Sequence, residues 1–489
     1  MSLYLMPRCL GLALLGASTA ALLAGCGAER GSAAQPIAAS AASLQTPTPR
    51  PGAGGGELVV PSTGQAVDTS QAVDVVRAEV RGGEADAKTA TPPDFLHQHP
   101  DESLIDDEPY DLAAVAPAGL SQAASSVPDY NPMTVGKLSL GKQLFYDQRV
   151  SLDATVSCAS CHDPARGWTD NKKASIGIGD QVGARNSPTV LNTILGKSMF
   201  WDGRSPHLEG QAQGPIQNKI EMGDQSYRRI VERLRAIPDY RDQFRRVFGT
   251  NVTLDGISKA IACFERTALS GDSAYDQYTL GDDEEAAFAK LTFAQKRGML
   301  LFGLTLREGD PDARGIDPKL RKRANCTTCH LGDNFTDERF HNLGVGFDAS
   351  TGRYADLGRW VVTAVGTKSK ADRGAFKTPT LRDATRTAPY MHDGSEPTLE
   401  AVVDFYDRGG IRNPALDRDM APLNLADGEK ADLVAFLRAL TGREVKVAVP
   451  ALPPGPDGTR PDPTDALNHP GRVATAHGPG GSDHLAIER

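Results

Sequence analysis

Two short motifs constrain this chain more than any other feature: Cys158-Ala-Ser-Cys161-His162 and Cys326-Thr-Thr-Cys329-His330. In a Cys-x-x-Cys-His run the two thiols add to the vinyl groups of a haem, and the adjacent imidazole binds the iron from one face. A zinc ion shared by both pairs is one alternative, and two redox disulfides another. Zinc would have to gather pairs far apart in the chain and gives no reason for a histidine after each. A thioredoxin-like pair wants a βαβ setting that the sequence pattern does not offer. Two haem c groups are therefore the expected cofactors, and the fold must bury two macrocycles. Of the seven cysteines, Cys9 lies in the leader, and Cys263 stands alone on an apolar helical stretch, as expected of a small buried residue.

The start of the chain, 1–26, is a short apolar stretch behind one arginine, read as an export signal. Leu23-Ala24-Gly25-Cys26 matches a lipobox, so Cys26 is expected to carry lipid and to tether the protein in the cell envelope, on the periplasmic side, without a spanning helix. The alternative is an ordinary secretory signal with a cysteine near its cleavage site. Residues 27–127 are rich in Ala, Ser, Pro, Gly and acids and read as a low-complexity tether. Residues 448–489, Pro-rich and then Gly- and His-rich, read as a disordered tail. The remainder is long enough for two domains. A net charge of -9 argues against nucleic acid as a partner.

Between the tails the apolar pattern is helical. Leu433, Phe436, Leu437 and Leu440 share one face of 427–440, and 227–237 and 254–269 look similarly amphipathic. A helix candidate precedes each haem motif, at 137–146 and 293–302. The expected fold is mainly α, with two cytochrome-c-like domains at 128–280 and 281–447, each wrapping one haem. A charged insertion, 305–323, stands just before the second cysteine pair and reads as a solvated surface excursion.

The stretches GKQLFYDQRVSLDATVSCASCHDP, RNSPTVLN, FWDGR, LEGQAQGPIQNKIEM, AIACFERT, LTFAQKRGMLLF, FKTPTLRDATRTAPYMHDGS and TLEAVVDFYDRGG occur in one order along the folded part. In these the chain resembles bacterial dihaem cytochrome c peroxidases, and more closely their MauG-like branch. The resemblance implies that His162 is the axial ligand of a peroxidatic haem and His330 that of an electron-transfer haem. It implies that Trp201 relays charge between them, that Glu221 moves protons and Gln211 orients peroxide on the open side of the first haem, and that His392 lies near the second. It further implies one calcium ion, held by Asn186 and the carbonyls of Thr387 and Pro389; oxygen ligands suit that cation.

Two departures bear on mechanism. Where other members carry an iron-capping histidine in an Ile-Gly-His-Gly segment, this chain has Ile176-Gly177-Ile178-Gly179, and isoleucine cannot bind iron. At the spacing of the usual distal methionine of the second haem stands Tyr406, the ligand type of the MauG branch; Met391 and Met420 remain alternatives. Lys219 also stands where many members have proline, which leaves the local backbone open. The resemblance thus implies hydrogen peroxide as substrate and, as partner, a small redox protein, cytochrome c or cupredoxin, or a protein substrate. Three functions stay in view: a MauG-like peroxide-driven oxidase, a conventional peroxidase that detoxifies peroxide, and a non-catalytic electron carrier. Oligomeric state is not legible.

Overall fold

The protein is described by a computed structural model over residues 93–468, apart from 224, 364–366 and 368. These residues belong to one compact unit, and residues 1–92, with the export signal and Cys26, and 469–489 lie outside the described residues.

Helices form where an oxygen side chain can hold the first free N–H groups. Thr134 starts α1 (Val135–Tyr146), and the first cysteine pair makes a single turn, α2 (Cys158–Cys161). There follow α3 (Leu208–Gln217), α4 (Tyr227–Arg235), α5 (Pro238–Phe248) and α6 (Leu254–Glu265), the last capped by Thr253. Pro238 breaks the stretch read as one helix to 237, as its ring demands, and Gly249 at φ 64° closes α5. The second half holds α7 (Ala274–Leu280), α8 (Glu284–Phe288), α9 (Phe293–Phe302), α10 (Arg359–Val362), α11 (Leu399–Asp407) and α12 (Asp427–Ala439). Strands are two residues long: β1 (Phe340–His341) pairs antiparallel with β4 (Phe376–Lys377), and β2 (Phe347–Asp348) with β3 (Arg353–Tyr354). The mainly α reading holds.

Two apolar cores organise these elements. One collects Leu144, Phe145, Trp168, Ile230, Tyr240, Ile257 and Phe264; the other Met299, Phe302, Phe335, Leu433, Phe436 and Leu440. The same packing device recurs in each. A Cβ on Gly141 of α1 would sit 1.9 Å from the Ala260 carbonyl of α6, and one on Gly298 of α9 would sit 1.9 Å from the Asp432 carbonyl of α12. Each haem motif thus follows a helix whose glycine lets a later helix approach at backbone contact. The two-cytochrome fold is visible in that repetition.

Two expectations need correction, and a third needs an addition. From residue 93 the supposed tether is a packed strap: Leu112, Leu120 and Ala123 are buried with Met133, Ile194 and Cys263 in a third cluster. Its apolar residues are too sparse for any period to show, but a strap needs only a few anchors. Residues 448–468 are likewise not a free tail, because Leu452 and Ala466 are fully buried and Leu467 packs on the first core. Proline-rich chain packs well in extended form, since it has few donors to satisfy. The insertion 305–323 is mostly exposed, as expected of a surface excursion, but it is also clamped from inside. Lys296 reaches the carboxylates of Asp310 at 3.0 Å and Asp312 at 2.6 Å, Tyr278 Oη donates to Asp310 at 2.8 Å, and Ile316 is buried. No helix among the described residues is long and apolar enough to cross a membrane.

Candidate active site

Each haem motif ends in a histidine whose Nδ1 meets a backbone carbonyl, and Ser187 Oγ lies a further 3.3 Å from Nδ1 and 3.5 Å from Nε2 of His162. His162 Nδ1 donates to the Trp168 carbonyl at 3.3 Å, and His330 Nδ1 donates to the Phe335 carbonyl at 2.9 Å. Both acceptors are aromatic residues with left-handed backbone, φ 61° and 50°, wedged into their cores against Phe145 and Phe264 in one case and Tyr275 and Phe302 in the other. With Nδ1 so occupied, Nε2 is left for a metal. Burial lowers the pKa of both imidazoles, which keeps them in the neutral, ligating form.

The cysteines fit haem attachment and not zinc. All four are free thiols, and burial pushes Cys161 and Cys326 up to about 12. Among the described residues the one metal-type grouping is Cys329, Asp337 and His341, which leaves out the other three haem-motif cysteines. Trp168 Nε1 and Ser157 Oγ are buried beside the first motif without a partner, donors that suit a group with acceptor oxygens. The residues present thus fit two covalently held haems.

Close to the first haem motif lies Glu221. Asn218, the C-cap of α3, donates from Nδ2 to Glu221 Oε1 at 2.8 Å, and the Glu221 charge bears on the Cys161 thiol. Burial raises the Glu221 pKa, and Arg204 and Arg185 oppose the rise. Gln211 is half-buried on α3, the same helix whose cap holds Glu221. The Ile176–Gly179 loop closes on this acid: Ile178 N–H donates to the Glu221 carbonyl at 3.1 Å, and a Cβ on Gly177 would sit 1.9 Å from the Ile220 carbonyl. Lys219 is exposed, and its carbonyl accepts from Gln181 Nε2 at 3.2 Å. A second buried acid, Glu265, stands near Cys158; burial pushes it up to about 8, so it is largely neutral at pH 7.

Trp201 is fixed between the two halves. Its indole N–H donates to the Asn186 carbonyl at 2.9 Å, and its own carbonyl accepts from Lys377 N–H at 2.7 Å. Asn186 N–H in turn donates to the His392 carbonyl at 2.7 Å. One residue of the expected calcium group thus also supports the tryptophan, and Asn186 Nδ2 donates to the Lys172 carbonyl at 2.6 Å. Thr387 precedes, and Pro389 belongs to, the cis Ala388-Pro389 peptide, where Asn171 Nδ2 donates to the Ala388 carbonyl at 3.1 Å. Next to Trp201, buried Asp202 accepts from Arg185 at 2.7 Å and Arg204 at 3.0 Å, and Arg185 also grips Asp356 at 2.6 Å.

Around the second pocket Tyr406, half-buried on α11, has its pKa raised by burial and then by the charges of Cys326 and Cys329, so its hydroxyl lies near the second haem motif. Met420 reaches toward Gly410, one turn beyond. His392 stacks on Phe376 at 3.5 Å, and burial lowers it to about 4. His341 is held near Cys329 between Asp417 at 2.7 Å and Asp337 at 3.0 Å; its pKa is pushed up to about 10, first by the bond to Cys329 and then by the two carboxylates. Sequence reasoning missed Asn218, Arg185, Asp202 and His341. Arg185 and Asp202 sit inside the quoted motifs RNSPT and FWDGR, where a charge amid apolar neighbours was the available signal. Asn218 and His341 gave none.

A family model described as di-haem cytochrome c peroxidase matches residues 136–284. The methylamine utilization protein MauG of Methylorubrum extorquens is 38% identical over 347 residues, 70% of this chain and 89% of the relative. The cytochrome-c peroxidase IdrP1 of a Pseudomonas species is 37% identical over 347 residues, 65% of this chain and 84% of the relative. Among solved structures, a MauG-like protein associated with microbial copper homeostasis matches with a TM-score of 0.55 and 32% identity, over 65% of this chain and 92% of that one.

Proposed function

The chain belongs to the di-haem cytochrome c peroxidase family, and from that premise we propose that it reduces hydrogen peroxide at the His162 pocket and draws the electrons through Trp201 from the His330 pocket. The family implies two haems c, held by Cys158 and Cys161 with His162, and by Cys326 and Cys329 with His330. Bound there, haem supplies an iron that reacts with peroxide and one that exchanges electrons. The protein's own groups do the rest. Glu221 takes a proton from the near oxygen of peroxide and returns it to the far one, so that water departs. Asn218 holds that carboxyl in place, and Gln211 donates a hydrogen bond that orients the substrate. Trp201, pinned by Asn186 and Lys377, carries charge between the pockets. Tyr406 is the proposed second ligand on the His330 side, and Asn186, Thr387 and Pro389 the proposed calcium ligands. Export and a lipid tether at Cys26 complete the proposal and put it in the cell envelope.

The observation that carries the MauG-like form of this reading is the Ile178 loop. The buried Ile178 donates its N–H to the Glu221 carbonyl, and its aliphatic side chain stands where the family's reductively activated members have a histidine. Untreated ferric protein is therefore expected to show a high-spin electron paramagnetic resonance signal and to consume peroxide without prior reduction. Two low-spin haems and a requirement for one-electron reduction would shift the assignment to a conventional peroxidase.

Tyr406→Phe tests the second ligand. Loss of a hard anionic oxygen is expected to change the low-spin signal and raise that haem's reduction potential. An unchanged spectrum would point to Met391, Met420 or His392.

A further inference from the structure

The insertion 305–323 has no part in the chemistry above, yet it is built with care. The buried Lys296–Asp310 pair and the Tyr278 hydroxyl anchor its first half, and Lys322 N–H donates to the Leu300 carbonyl at 2.9 Å while Ala324 N–H donates to Leu301 at 3.1 Å. Leu320 packs on the second core and Arg323 is tied to Glu429 at 3.2 Å. The insertion's last residues present a basic ridge to solvent, while Glu308 and Asp317 of the same insertion are also exposed. Lys319, Arg321 and Lys322 are exposed, and no ion pair is described for any of them. The ridge runs straight into Cys326, and beyond His330 the chain exposes Leu331 beside Gly332, whose Cα faces open space. The nearby acids are partly engaged: Asp317 accepts from Lys319 N–H at 2.9 Å, and Asp333 accepts from Ser121 Oγ at 3.4 Å.

We propose that Lys319, Arg321, Lys322 and Leu331 form the docking surface for an acidic redox protein, seated at the edge of the His330 pocket. This rests on the reading that the His330 haem is the one that exchanges electrons. The chain as a whole carries a net charge of -9, so an acidic partner is repelled from most of its surface and attracted only by a local basic rim. Such a rim sets orientation and encounter rate, while the exposed Leu331, next to His330 in the chain, supplies an apolar contact to desolvate. A surface excursion kept only for solubility would need neither buried clamps nor unpaired cations of one sign.

The test is direct binding of full-length holoprotein to a plastocyanin with an acidic surface, at low and at high salt, with basic mitochondrial cytochrome c as the contrast. Plastocyanin is expected to bind more tightly than the basic cytochrome and to lose affinity as the Debye length shrinks from about 30 Å toward about 3 Å. The triple variant Lys319→Glu, Arg321→Glu, Lys322→Glu is expected to bind plastocyanin at least about 10-fold more weakly at low salt. Arg241→Glu, Arg245→Glu, Arg246→Glu on α5 changes net charge equally and is expected to have little effect. Equal loss in both triple variants, tighter binding of the basic cytochrome, salt-independent affinity, or retention on anionic vesicles with no affinity for plastocyanin would each overturn the proposal. Binding needs no peroxide, so a failure of the peroxidase reading would show separately, as an absence of peroxide consumption with a small-molecule reductant.

Discussion

Glu221→Gln is expected to slow the reaction of the protein with peroxide by about 10²-fold or more, the scale for loss of a positioned acid-base group. Glutamine keeps an acceptor for the Asn218 amide, which lies 2.8 Å from Glu221 Oε1, and keeps the size of the side chain, so the pocket should retain its shape. What is lost is the ability to take up and release a proton. The sign of the pH dependence follows from burial. Because burial raises the Glu221 pKa, its basic form disappears at a pH above the ordinary carboxylate range, and the wild-type rate should rise with pH through that raised pKa. The glutamine variant should show no such rise. Stopped-flow rates against peroxide concentration across a pH series would decide it; a variant with near wild-type rate and the same profile would remove Glu221 from the mechanism.

Arg382→Ala is expected to destabilise the holoprotein by about 3–5 kcal/mol, because it leaves a buried carboxylate without its partner. Arg382 is 2% exposed and Asp276 1%, and two guanidinium nitrogens meet the two carboxylate oxygens at 2.8 Å. The same side chain donates to the carbonyls of Asp333, in the loop after His330, and of Gly119, in the N-terminal strap at 3.0 Å. One residue thus joins α7, the second haem loop and the strap. Arg438→Ala offers the comparison: it pairs with Glu400 at 2.8 Å, but both side chains are more than half exposed, and its removal should cost no more than about 1 kcal/mol. Urea unfolding of both variants would separate the two. A double variant, Arg382→Met with Asp276→Asn, should recover part of the loss, since no bare charge is left behind. Equal, small effects for Arg382 and Arg438 would show that the buried pair is not a structural tie.

Much of the site was legible because its residues come in fixed local patterns. The covalent chemistry of Cys-x-x-Cys-His forces two thiols and a ligand into five consecutive positions, so Cys158 to His162 and Cys326 to His330 need no tertiary information to be recognised. Helix starts at Thr134, Thr253, Thr292 and Thr398 are equally local, since a cap and the N–H it holds lie within one turn. Glu221, Gln211, Trp201 and Tyr406 were found by resemblance to a family, not by any local rule, and their roles stand as proposals.

What the sequence determined by itself was the pair of haem motifs, the helical class and the likeness that names the family. What only the tertiary structure decided were contacts between residues far apart in the chain: Arg185 with Asp356, Arg382 with Asp276, His341 with Asp417, and the burial of Leu112 and Leu452 in segments whose composition reads as disordered. A charge or an isolated leucine carries no period and no motif. Its partner is set by how the two halves pack, and a buried ion pair or a few anchoring side chains suffice to hold a segment that shows no pattern of its own.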